Sequence, residues 1–176
     1  MEARREAAMP PATAVGCIEM RIAKVVGLAA DDELFDYVVL DEVVGDRQLA
    51  IEIGQPEAFS LAARLGGITW PRPMTYQFVA GLVHALGGRV RQVRIDQVVE
   101  EAYVATVEVD GPPGVQAVDA RPSDALNLAV LVQAPILVAP EVLQEADASR
   151  TGDSPGAARL RRALAAPPMT IEKLGS

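Results

Sequence analysis

Histidine, cysteine, lysine and aromatic residues are all scarce in this chain, and each shortage excludes something. The one histidine, His84, rules out a multi-histidine metal centre within a single chain. The one cysteine, Cys17, rules out an intrachain disulfide and fits a reducing compartment. It lies in an apolar, strand-like run and reads as core rather than as a nucleophile. Lys24 and Lys173 are the only lysines among 16 basic residues, so the positive charge is almost all arginine. Aromatics make up 4% of the chain, so the core must be built of Val, Leu, Ile and Ala. The net charge of −8 counts against non-specific, backbone-driven binding of nucleic acid, which needs a basic footprint. No apolar run approaches the roughly 18 residues of a membrane-spanning helix. The opening stretch, MEARREAAMPPATA, is charged and lacks an apolar segment of the kind an export signal carries. A cytoplasmic location with no membrane contact is expected.

Half of the 176 residues are hydrophobic, which suits one domain with tails. Residues 1–14, made of Ala, Pro and charge, read as a flexible arm, residues 15–146 as the folded domain, and residues 147–176 as a linker and tail with a possible short helix at 157–166. Within the domain, strand-like runs at Cys17–Gly27, Tyr37–Val44 and Gln48–Ile53 precede a helix marked by Pro56 and Glu57 and ended by Gly66-Gly67. A second helix runs from Tyr76 to Leu86, with Thr75 expected as its N-cap and Phe78, Val79, Leu82, Val83 and Leu86 on one side; Gly87-Gly88 stops it. Strand patterns return at Val90–Ile95, Tyr103–Val109 and Val115–Asp119. The alternation in Tyr103–Val109 predicts a sheet with one wetter face. Arg89, Arg91 and Arg94 read as a solvated sheet face, or as a basic stripe with Arg72 and Arg121. A short strand at Ile136–Val138 and a helix from Pro140 through Ala146 complete the pattern. It defines an α+β fold: a mixed, largely antiparallel sheet packed with helices, one of them central and buried.

That central helix is the organising element. Its middle, Ala125 to Val132, is apolar on nearly every side, and its start carries Pro122 and Asp124, which suit a first helical turn. Asp119, Arg121, Ser123 and Asp124 therefore gather at the mouth of a buried element. Two readings are open: a capped helix start with Arg121 neutralising an acid, or a polar site in which carboxylates hold a cation and Arg121 faces phosphate.

IGQPEA at 53–58, WPRPMT at 70–75, ALGG at 85–88, VDARPSDAL at 118–126 and APILVAPEVL at 134–143, in that order, resemble the bifunctional nuclease family over about residues 17–146. The resemblance implies an α+β domain that commonly self-associates as a homodimer or higher homo-oligomer, and a metal-dependent nuclease acting on RNA and DNA. The resemblance carries no catalytic scheme onto these positions; from their chemistry, an enzyme would use Asp119, Asp124 and Arg121 as catalytic residues, with Asp119, Asp124 and Glu57 holding Mg2+ or Mn2+. Arg72 and Ser123 would contact the substrate. The family commonly reads RPLTHD where this chain has Arg72-Pro73-Met74-Thr75-Tyr76-Gln77, so a His-Asp pair is replaced by Tyr-Gln. If that pair supplies a base or a metal ligand, this chain lacks it. The alternative is a non-catalytic regulatory or interaction module with the same fold.

Overall fold

The structure is a computed structural model that describes residues 16–30 and 33–169. The expected arm at 1–14 and the end of the tail lie outside the described residues. Seven strands form one sheet: β1 (Ile18–Ala30), β2 (Glu33–Glu42), β3 (Gln48–Ile53), β4 (Arg89–Val99), β5 (Ala102–Gly111), β6 (Gly114–Ala120) and β7 (Ile136–Val138). Their order is β3-β2-β1-β7-β4-β5-β6, and every pairing is antiparallel except β4 with β7. Five helices lie among the described residues: α1 (Gln55–Leu65), α2 (Thr75–Ala85), α3 (Pro122–Val132), α4 (Pro140–Thr151) and α5 (Pro155–Ala165). This is the expected α+β architecture, with β7 as the short central strand that joins the two hairpin systems.

The larger core lies between one sheet face and α1, α3 and α4, where Val38, Leu40, Leu61, Val93, Ile95, Leu126, Val138 and Leu143 are sealed from solvent. Burying side chains of this size contributes on the order of 1.5–3 kcal/mol each. Helix α3 is the central one: Ala125 and Leu126 are fully buried, as its nearly uniform apolar sequence requires. A smaller core on the opposite face packs α5, through Leu160, Ala163 and Leu164, against Val26, Tyr37 and Val39 of β1 and β2.

Several local expectations change. The polar break at 29–36 is crossed by both strands, whose ladder continues to Ala30 opposite Glu33, because hairpin pairing needs only backbone groups. The N-cap of α2 is Met74, not Thr75; its N–H donates to Gln77 Oε1 at 2.6 Å. The stretch beginning at Asp147 is helical as far as Thr151, where Gly152 ends α4. Its Ser154 then caps α5, with Oγ accepting from Ala157 N at 3.1 Å.

The expected wet face of β5 is not wet. Glu108 and Thr106 are 3% and 4% exposed, and Arg94 is 1% exposed. Arg94 Nη1 donates to Glu108 Oε1 and its Nε to Asp96 Oδ1, both at 2.9 Å, while Asp96 also accepts from Thr106. A register shift between Ile95 and Gln97 turns Asp96 toward this cluster. Arg94 thus belongs to a buried ion-pair network, and Arg89 is paired with Asp110, so no basic stripe forms.

Candidate active site at the mouth of the central helix

The first turns of α1, α2 and α3 meet at one place. Glu57 comes from the first turn of α1, Tyr76 from the first turn of α2, and Arg121 and Asp124 from the N-cap and first turn of α3. Each position follows from local sequence. Pro56 and Pro122 start their helices where a missing N–H is harmless, and acids follow them at the positive helix end. Gly54 packs closely beside α1, where an added Cβ would make the carboxylate of Glu57 shift. Asn127, buried one turn into α3, donates through Nδ2 to Ser123 O at 2.9 Å and to Glu57 O at 3.1 Å, which locks α1 to α3.

Arg121 bridges the two acids. Its Nη2 lies 2.8 Å from Glu57 Oε1 and 3.2 Å from Asp124 Oδ1, and its Nε lies 2.8 Å from Asp124 Oδ2. The hydroxyl of Tyr76 donates to Asp124 Oδ1 at 2.8 Å. Burial pushes the Asp124 carboxyl up, but the hydrogen bonds from Arg121 and Tyr76 outweigh it and hold it below its ordinary range. Burial, and then the bond to Asp124, push the Tyr76 phenol far up, so it stays a protonated donor at neutral pH. The bonds to Asp124 and Glu57 likewise hold Arg121 charged. These groups border an open cleft of about 580 Å³, walled also by Phe59, Ser60 and Met74.

Not every expected site residue joins them. Asp119 is exposed and pairs with Thr106 across β5 and β6, on the sheet face of Arg94; its neighbour Ala120 packs on the core face below α3. Neighbouring strand residues point to opposite faces, so Asp119 is turned away from Asp124. Arg72 is exposed in the loop before α2 and, among the described residues, does not line the cleft or bond to Glu57, Tyr76, Arg121 or Asp124. Ser123 is 6% exposed and lines a different cavity, beyond Arg121. Sequence reasoning missed Asn127, and it treated Tyr76 only as a departure from a pattern. The spacing of Tyr76 from Thr75 and Pro73 did place it in a first helical turn.

Among the described residues, no group of three or more His, Cys, Asp or Glu is gathered to hold a metal. Two acids are. Glu57 and Asp124 already share one cation, Arg121, and Mg2+ is commonly held by one or two carboxylates with water and substrate phosphate filling its shell. The donor set fits such an ion; Asp119 is not part of it. Among the described residues, the lining of the cleft includes no histidine or cysteine. His84 lies in the last turn of α2, eight residues from Tyr76 or about 12 Å along the helix, beside Arg89 and Asp110. Burial pushes the Cys17 thiol up, which disfavours a thiolate.

Fold and site together define an α+β domain with an acidic and guanidinium cleft at a helix mouth. Residues 38–151 match the model of the bifunctional nuclease domain, and the chain belongs to that family. The match runs from within β2 to the end of α4, leaving β1 and α5 outside. The chain is similar to an uncharacterized protein of Mycobacterium tuberculosis, 38% identical over 109 residues, which are 62% of this chain and 65% of that protein. It is also similar to Bifunctional nuclease 2 of Arabidopsis thaliana, 37% identical over 97 residues, and to Bifunctional nuclease 1 of Oryza sativa subsp. indica, 32% identical over 96 residues. Each plant match covers 53% of this chain and 29% of the relative, so the chain spans less than two thirds of these relatives. Among the described residues, no helix is long and apolar enough to cross a membrane.

Proposed function

We propose that the cleft is the active site of a nuclease that hydrolyses phosphodiester bonds in RNA and DNA. The observation that carries this reading is the convergence of Glu57 and Asp124 on one guanidinium where three helix N-termini meet. A site of that kind pairs acidic ligands for a cation with helix ends that favour an anion. The relatives named as bifunctional nucleases support it.

Glu57 and Asp124 would hold Mg2+ or Mn2+, hard cations that select carboxylate oxygens. A divalent ion bound there supplies charge neutralisation on the phosphate and an activated water. Arg121, two-thirds exposed, exchanges its carboxylate partners for phosphate oxygens, which its planar fork fits. Tyr76 stays protonated and holds the Asp124 carboxylate in place, whereas an imidazole at that position could also accept a proton. The test is metal-dependent cleavage of single-stranded RNA and DNA by the chain and by its Glu57→Gln and Asp124→Asn variants.

A second reading, an interaction module without catalysis, is favoured by the way Glu57, Asp124 and Arg121 satisfy one another. Self-association belongs with either reading. Helix α2 has no buried residue, and Phe78, Leu82 and Leu86 are 60%, 47% and 78% exposed, an apolar face suited to a second copy. The single cysteine supports a reducing, cytoplasmic setting as part of this reading.

A further inference from the structure

We infer that the cavity on the far side of Arg121, floored by Ser123, is a second phosphate subsite that receives the backbone phosphate next to the one being cut. This rests on the nuclease reading of the neighbouring cleft. The cavity measures about 470 Å³ and is bordered by Ile53, Gly54, Tyr103, Arg121, Pro122 and Ser123. Arg121 also borders the first cleft, so the two share a wall.

Ser123 is 6% exposed, yet among the described residues its hydroxyl has no hydrogen-bond partner. A hydroxyl that borders a cavity without a protein partner can donate to whatever enters it. The hydroxyl is not sealed inside the protein: among the described residues, the only buried side-chain polar atom both enclosed and unpartnered is Nε of Arg159. The backbone adds to this. Pro122 has no N–H, while Asp124 N and Ala125 N both donate to Arg121 O at 3.1 Å, which leaves the Ser123 N–H as a free donor in the first turn. Asn127 fixes Ser123 in position by donating to its carbonyl.

A free N–H, a free hydroxyl and the positive end of an 11-residue helix beside an arginine form a site for a singly charged phosphodiester. Two acids border the cavity without closing it. Glu52 accepts from the Tyr37 hydroxyl at 3.0 Å, and Glu101 is an exposed turn residue.

The experiment uses the full chain, 15N-labelled, in EDTA so that nothing is cut. The Ser123 amide is followed as three probes are added: inorganic phosphate, a dinucleoside monophosphate and a trinucleoside diphosphate. The subsite predicts a saturable Ser123 shift with the trinucleoside and binding about ten-fold tighter than for the dinucleoside, the scale of one hydrogen bond to a charged group. Ser123→Ala, checked for an unchanged melting temperature, should lower trinucleoside affinity toward that of the dinucleoside. A still Ser123 amide overturns the subsite, as does equal weakening for both lengths. A response to inorganic phosphate alone makes it a free-anion site and overturns the assignment to a nucleic-acid backbone. If the chain with Mn2+ cuts nothing while the length effect holds, the nuclease reading fails and the phosphate subsite stands.

Discussion

The hydroxyl of Tyr76 donates to Asp124 Oδ1 across 2.8 Å and joins the start of α2 to the start of α3. The contact spans 48 residues of sequence. Removing it isolates its contribution. Tyr76→Phe keeps the ring and deletes one hydrogen bond to a partly buried carboxylate, and should lower the unfolding free energy by about 1–2 kcal/mol with m unchanged. Urea unfolding measures this; an unchanged midpoint would show that the bond adds nothing to the fold.

The buried network below β4 and β5 should be far more sensitive. Arg94→Ala leaves Glu108, 3% exposed, without its ion-pair partner. Breaking a buried pair from one side costs about 3–5 kcal/mol. A melting temperature close to that of the parent chain would contradict this account of the outer sheet face.

Two carboxyls should respond to pH in opposite directions. Burial raises Asp36 above its ordinary 3.8, so the folded state binds that proton more tightly and stability falls as pH rises from about 3.8 through the raised value. Asp124 is lowered below 3.8, so its contribution is present above that value and is lost as pH falls through the lower one. Asp36→Asn should therefore stabilise the protein at neutral pH and lose that effect in acid. Asp124→Asn should destabilise at neutral pH, with the difference shrinking in acid. Urea titrations at pH steps between about 3 and 7 read both signs.

The face of α2 tests self-association. Stable interfaces bury about 1,200–2,000 Å² and are centred on apolar side chains. Leu82→Asp, at a 47% exposed site, should leave the fold intact and reduce the mass seen by light scattering to that of one chain. A parent chain that is already monomeric at high concentration removes this surface from the account.

Much of the architecture was legible because local chemistry and global packing agree. Pro56 and Pro122 start helices, Gly66-Gly67 and Gly87-Gly88 stop them, and the apolar run from Ala125 marks the helix that is buried. The site was only half legible. The residues of the Arg121–Asp124 turn lie close in sequence, but β6 turns Asp119 to one sheet face while α3 carries Asp124 on the other. Periodicity does not say how a strand-to-helix junction divides its side chains. The convergence of Glu57 and Tyr76 is tertiary and leaves no mark in spacing. The same is true of Arg94, a charged strand residue that reads as solvated until Asp96 and Glu108 are seen around it. Helix α4 runs past Ala146 to Thr151, with Arg150 and Asp147 paired one turn apart, in a stretch whose composition suggests a linker.

The proposed nuclease works through Glu57 and Asp124, which meet on Arg121, and not through Asp119 on the other sheet face. The most direct measurement is the rate of Mn2+-dependent cleavage of single-stranded RNA and DNA by purified parent chain, Glu57→Gln, Asp124→Asn and Asp119→Asn, each confirmed folded. Losing either cleft acid should lower the rate by at least about 100-fold, the scale of removing one electrostatic stabiliser, with Asp119→Asn close to the parent. Equal activity in all four proteins, or a loss confined to Asp119→Asn, would contradict the assignment of the cleft.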